Sequence, residues 1–151
     1  MIETFRPLLD AARGVDLADP ESARATLSRR LDPHGPAAAA LNRELVALLD
    51  AQKIADRGEP PVRWSRVSKA NPESSDFSID AVDMNGPGPH HAHPNGEVNW
   101  CIALEGDPRF DGRPAGWVVM PPGSGHVPTV SGGRMLIVYL LPGGKIEFTK
   151  T

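Results

Sequence analysis

The chemistry in this chain is concentrated in Pro89-His90-His91-Ala92-His93-Pro94-Asn95-Gly96-Glu97. His91 and His93 are two positions apart, so on an extended strand both imidazoles point to one face. Glu97 follows across a Pro-Asn-Gly turn that can fold its carboxylate back toward them. Two imidazoles and a carboxylate on one face form part of a divalent-metal site. A third imidazole, His126, closes the segment Pro121-Pro122-Gly123-Ser124-Gly125-His126. We therefore take His91, His93, Glu97 and His126 as metal ligands. His90, Glu105 and Tyr139 are the acid–base candidates, and His90 could also act as a proton shuttle beside the ligands. Arg109, Arg113 and Arg134 are the arginines that could grip a substrate carboxylate.

Positioning such a site requires strands, and the sequence supplies them after Gly58-Glu59-Pro60-Pro61. There the hydrophobic period becomes two, over Val62–Lys69, Phe77–Val82, Val98–Leu104, Gly116–Met120 and Arg134–Leu141, with Gly and Pro between the runs. Short strands with this punctuation predict an antiparallel sandwich or barrel. Upstream the period is helical. Ile2, Phe5, Leu8, Leu9 and Ala12 share a face, and Gly14 ends the run. Asp19-Pro20 reads as an N-cap with Pro at the first helical position. The third and longest helix opens at Pro36, with Leu41, Leu45, Leu48, Leu49 and Ile54 on one side. The expected division is a helical N-terminal extension over 1–58 and a β domain over 59–151.

Strand parity adds a further expectation. If Glu97 points inward, so do Asn99, Cys101 and Ala103, whereas Val98, Trp100, Ile102 and Leu104 point outward. That outward face is apolar and needs a cover, either the N-terminal helices or a second subunit. Cys101 is expected in the pocket wall. Trp64, Trp100 and Trp117 are expected in the core, and His34 in a loop.

Of the 151 residues, 23 % are charged and the net charge is −3. That balance argues against a general nucleic-acid or anionic-membrane binder. With one cysteine no intramolecular disulfide can form. There is no run of about 18 apolar residues, which a membrane span would need. The acidic start gives no signal-peptide core, and a cytoplasmic address is expected.

The two histidine segments resemble the motifs of the cupin family. The first reads Gly86, then His91-Ala92-His93, three residues, Glu97, and Gly106. The second reads Gly116, Pro121-Pro122-Gly123, and His126, with Val130 where the family often has Asn. The resemblance implies a small antiparallel jelly-roll-like barrel, one divalent metal ion per chain and a homodimer. Fe(II) or Mn(II) is preferred, and Zn, Ni or Co are admitted. A helical N-terminus followed by Pro89–Asn99 and the Trp117–His126 stretch is similar to the 4-hydroxylaminobenzoate lyases. That likeness implies a small aromatic substrate, with 4-hydroxylaminobenzoate and water giving 3,4-dihydroxybenzoate and ammonia. The alternatives are a cupin dioxygenase of a small aromatic substrate and a non-catalytic ligand-binding cupin. An oxygenase would consume O₂ and a lyase would not.

Overall fold

The computed structural model describes residues 1–149. A short 3₁₀ turn at Ile2–Phe5 runs into helix α1 (Arg6–Ala12), followed by α2 (Pro20–Arg30) and α3 (Pro36–Asp50). Asp19 caps α2 as the sequence predicts. Its side chain accepts the Ser22 N–H, and Pro20 takes the first helical position. Helix α3 stops earlier than its apolar pattern suggests. Gln52 adopts a left-handed backbone (φ 58°), so Ile54 is buried from the following turn and not from the helix face.

Among the described residues nine strands follow: β1 (Arg57–Glu59), β2 (Val62–Ser68), β3 (Phe77–Met84), β4 (His91–His93), β5 (Glu97–Phe110), β6 (Gly116–Met120), β7 (Ser124–His126), β8 (Val130–Pro142) and β9 (Glu147–Phe148). They form a six-stranded sheet in the order β1-β2-β3-β8-β5-β6 and a three-stranded sheet in the order β7-β4-β9. Every pairing is antiparallel. The class is mainly β with an α-helical N-terminal extension, and the strand order is jelly-roll-like, as the cupin resemblance implies. Among the described residues the two sheets are not joined by hydrogen bonds into one closed barrel.

Strands β5 and β8 run longer than their hydrophobic patterns. Glu105-Gly106-Asp107-Pro108 and Ser131-Gly132-Gly133 lie outside the alternating runs, yet they pair across bulges, with Gly106 opposite Gly133. Glycine is required there, because a Cβ on Gly106 would lie 2.5 Å from the Gly132 carbonyl oxygen.

Parity decides which face each residue serves. Val98, Trp100, Ile102, Trp117, Leu136 and Val138 share one core with Phe5, Leu8, Leu27 and Leu45 of the helical region. The outward face is thus covered by the N-terminal helices of the same chain. Two indoles fasten this cover: Trp100 Nε1 donates to Asn42 Oδ1 at 2.8 Å, and Trp117 Nε1 donates to the Leu31 carbonyl at 3.0 Å. The inward residues Val82, Met84, Cys101, Val118, Met135, Ile137 and Tyr139 form a second core under the small sheet.

Candidate metal centre

The small sheet sets the histidines. In the β4–β7 register His91 lies opposite His126, and His93 lies opposite Ser124. Directly opposed side chains in an antiparallel pair start about 5 Å apart, within reach of one another. The chain then reverses at Pro94-Asn95-Gly96, where the Gly96 N–H donates to the His93 carbonyl at 3.1 Å. Gly96 has φ +88°, and a Cβ there would lie 3.0 Å from the Met120 carbonyl, so the tight turn needs glycine. That turn delivers Glu97, the first residue of β5, from the large sheet to the same point.

The four side chains meet there. One ligand atom from each of His91, His93, Glu97 and His126 lies within 4.8 Å of all the others. Glu97 Oε2 is 3.1 Å from His91 Nε2, 2.9 Å from His93 Nε2 and 3.9 Å from His126 Nε2. The His91 and His126 Nε2 atoms are 3.1 Å apart. Donors bound to one first-row ion at about 2.0–2.2 Å lie roughly 3–3.5 Å from their neighbours.

Two further observations fit an ion. Glu97 Oε1 is buried with no hydrogen-bond partner among the described residues, and His93 Nε2, although 2.9 Å from Glu97 Oε2, lacks hydrogen-bond geometry there. A buried polar atom left unpaired is costly unless something binds it. The outer nitrogens of His93 and His126 are also committed. Ser124 Oγ donates to the Pro121 carbonyl at 2.6 Å and therefore accepts from His93 Nδ1 at 2.9 Å. Asp111 Oδ2 accepts from His126 Nδ1, while Asp111 Oδ1 accepts the Thr129 N–H at 2.9 Å. A proton on Nδ1 of His93 and of His126 frees their Nε2 atoms to turn a lone pair toward a bound ion, the arrangement a metal-ligating histidine requires. Burial pushes the Glu97 carboxyl up, but the imidazoles of His91 and His93 outweigh it and hold the group down at about 2. The site therefore presents one anionic oxygen donor and three nitrogen donors, a set suited to Fe(II), Mn(II), Co(II), Ni(II) or Zn(II).

One face of the centre opens on a cavity of about 670 Å³ between β2, β3 and the small sheet. His91 and Tyr139 form its inner wall and Trp64 and Phe148 line it farther out. The His91 and Tyr139 ring centroids are 6.2 Å apart. Burial, reinforced by the nearby Glu97 charge, pushes the Tyr139 phenol well above its ordinary value, so it stays protonated. Asn99 points inward as parity predicts, and neither atom of its amide has a partner among the described residues.

Other expected positions differ. His90 is half-buried and pairs with Thr149 Oγ1, outside the cavity lining. Its strand neighbours turn inward, so the alternation of β4 turns His90 away. Glu105 lies on the exposed part of β5, bonded by Arg134 Nη1 at 2.7 Å. Arg134 is also held by Asp83 at 2.8 and 2.9 Å. Neither Arg134, Arg109 nor Arg113 lines the cavity, whereas Arg66 does. Trp64 is 45 % exposed at the cavity and is not core. Sequence reasoning missed Asp111 and Ser124. Asp111-Gly112 carries only a turn signal, and nothing local ties it to His126, fifteen residues on.

Among solved structures the chain is similar to an RmlC-like cupin protein from Ralstonia eutropha JMP134. The TM-score is 0.43 at 12 % identity, over 61 % of this chain and 62 % of that one. A cupin-like protein from Thermotoga maritima MSB8 gives 0.41 at 16 %, over 60 % and 77 %. Two proteins named 4-hydroxylaminobenzoate lyase are related in sequence. The one from Nocardioides sp. (strain LMS-CY) is 34 % identical over 100 residues, covering 61 % of this chain and 59 % of the relative. The one from Pseudomonas putida is 33 % identical over 105 residues, covering 59 % and 60 %. The chain thus spans about three-fifths of the length of these relatives. The model of the family described as 4-hydroxylaminobenzoate lyase matches residues 18–148. That span takes in α2, α3, all nine strands and every member of the histidine–carboxylate cluster, and the chain belongs to the 4-hydroxylaminobenzoate lyase family.

Proposed function

We propose that this chain is a metal-dependent lyase that converts 4-hydroxylaminobenzoate, or a related aryl hydroxylamine, to 3,4-dihydroxybenzoate and ammonia. The observation that carries this reading is the cluster itself: three imidazoles and one carboxylate, two of them with unpaired buried atoms, whose His91 forms a wall of an aromatic-sized cavity. His91, His93, Glu97 and His126 would hold one divalent cation. Such an ion, when bound, supplies Lewis acidity toward an oxygen that must leave.

The reaction is redox-neutral. The N–O bond breaks with its electron pair on oxygen, water adds to the ring carbon ortho to nitrogen, and hydrolysis of the imine releases ammonia. One water is consumed overall, and no nicotinamide is needed. The apolar walls at Val62, Val82 and Met84 hold the ring and keep bulk water from it. In this reading the protonated Tyr139 hydroxyl donates a hydrogen bond to the departing oxygen. Asp111 and Ser124 fix the orientations of His126 and His93. A homodimer and a cytoplasmic address remain part of this proposal. The helix-covered face lends the dimer no support, and light scattering in solution reads it directly.

The test is anaerobic turnover of 4-hydroxylaminobenzoate by protein loaded separately with Fe(II), Mn(II) and Zn(II), with catechol and ammonia followed together. Equal yields without O₂ are expected. Product that forms only when O₂ is admitted, with stoichiometric O₂ uptake, would replace the lyase by an oxygenase.

A further inference from the structure

The cavity wall carries a second polar feature, on the large sheet. On β2, Val62, Trp64 and Arg66 alternate onto the cavity side. Among the described residues, Arg66 is the only Lys or Arg in the lining. Asp80 lies directly opposite it on β3 and accepts from Arg66 Nε at 2.8 Å and from Nη2 at 3.0 Å. This pairing fixes the guanidinium plane. It leaves Nη1 with no hydrogen bond among the described residues. The Arg66 side chain is 37 % exposed and that of Asp80 is 16 % exposed, so the pair sits at the mouth, partly withdrawn from water.

The register then connects this pair to the metal centre. Arg66 is opposite Asp80, Asp80 is opposite Tyr139, and Tyr139 is opposite Asn99. One polar row therefore crosses the inner face of the sheet, from the mouth to the strand that carries Glu97. Adjacent strands are about 4.8 Å apart, so Arg66 stands roughly 10 Å along the row from Tyr139, with its long side chain spanning part of that gap. A benzene ring bearing two para substituents is no longer than about two strand spacings.

We infer that Arg66, held by Asp80, is a specificity-determining residue that takes the carboxylate of an aromatic acid at the end of the cavity away from the metal centre. The inference rests on the reading of the substrate as a para-substituted benzoate. With the nitrogen substituent at the His91–Tyr139 end, the para carboxylate falls on the Arg66 side. Asp80 neutralises the pair, so recognition comes from the free Nη1 hydrogens and not from a bare positive charge.

The experiment measures calorimetric binding of benzoate and of benzamide to the Zn(II)-loaded protein, for wild type, Arg66→Gln and Arg66→Lys. One or two charge-assisted hydrogen bonds correspond to about a 10- to 100-fold effect. Arg66→Gln should weaken benzoate at least about tenfold and leave benzamide within about twofold. Arg66→Lys, which keeps the charge and loses the fork, should fall between. The inference is overturned by a wild type that binds benzoate no better than benzamide. It is equally overturned by an Arg66→Gln protein that holds benzoate as tightly as wild type, or that loses both ligands equally. If Arg66→Gln does not fold, the benzoate-to-benzamide ratio of Arg66→Lys decides. Turnover is scored separately. An active wild type whose benzoate affinity ignores Arg66 keeps the reaction and removes the residue. An inactive wild type with an Arg66-dependent benzoate site removes the reaction and keeps the anion site.

Discussion

Replacing Asp111 with asparagine isolates the part of the metal centre that lies outside the four ligands. Asp111 Oδ2 accepts from His126 Nδ1 and Oδ1 accepts the Thr129 N–H at 2.9 Å, so both oxygens are used. Its backbone is left-handed, φ 49°, a conformation asparagine adopts more readily than alanine. The turn should therefore survive the change. The amide, however, has only one oxygen. If that oxygen stays on Thr129, the NH₂ group faces His126 and donates to Nδ1, which moves the imidazole proton to Nε2. A protonated Nε2 cannot ligate. If the amide flips, two donors confront each other at Thr129, at a cost of about 1–3 kcal/mol. Either way a charge-assisted hydrogen bond is lost, worth about 1.5–3 kcal/mol. At about 1.4 kcal/mol per decade, metal affinity should fall roughly 10- to 100-fold. The measurement is a competition titration of Zn(II) or Mn(II) against a chromophoric chelator, with far-UV circular dichroism to confirm folding. A folded Asp111→Asn protein that binds metal within about twofold of wild type would show that His126 is not held by Asp111 as a ligand.

Two further predictions concern buried ionisable groups. The Glu97 carboxyl is held at about 2 in the folded chain against an ordinary 4.5. Its folded value is the lower one, so its contribution is present above pH 4.5 and is lost as pH falls toward 2, an upper limit of about 3 kcal/mol. Urea midpoints of the chelator-treated protein should fall across that window, and a fall just as steep in Glu97→Gln would refute the assignment. Cys101 is fully buried, and burial first, then the Glu97 and Asp111 charges, pushes its thiol far above the ordinary range. It should resist an aromatic disulfide reagent in native buffer and react in guanidinium, and fast labelling of the native chain would contradict the inward wall position.

What the sequence made legible was local. The Asp19-Pro20 cap, the His-x-His spacing and the alternation along β5 each depend on residues a few positions apart, where helix and strand geometry fix directions without knowledge of the fold. From Glu97 alone, parity placed Asn99 and Cys101 inward and Trp100 outward. What it hid was cross-strand. Asp111 meets His126 only because the β5–β8 pairing brings Phe110 opposite Val130. Arg66 joins the cavity only because β2 lies against β3 in the register that sets Arg66 on Asp80. Register is a property of the assembled sheet, so a chain of letters that offers Arg109, Arg113 and Arg134 does not show that the cavity takes none of them and is lined by Arg66 instead. The glycine-rich segments of β5 and β8 misled for a related reason: glycine signals both a turn and a close approach of two backbones.

The division of the ligands between the sheets has a mechanical consequence. The three nitrogen donors sit on β4 and β7 of the small sheet, and the one carboxylate opens β5 of the large sheet. The strands of the small sheet are only two or three residues long, too short for independent stability. They are tied to the large sheet by the Gly96 turn and by the packing under them. An ion shared between His91, His93, His126 and Glu97 would bridge the two sheets directly. Binding energy at the centre would then also hold the inner wall of the cavity, where His91 faces Tyr139. Metal affinity and the shape of the cavity would then be a single property of the fold, because the same imidazole serves both.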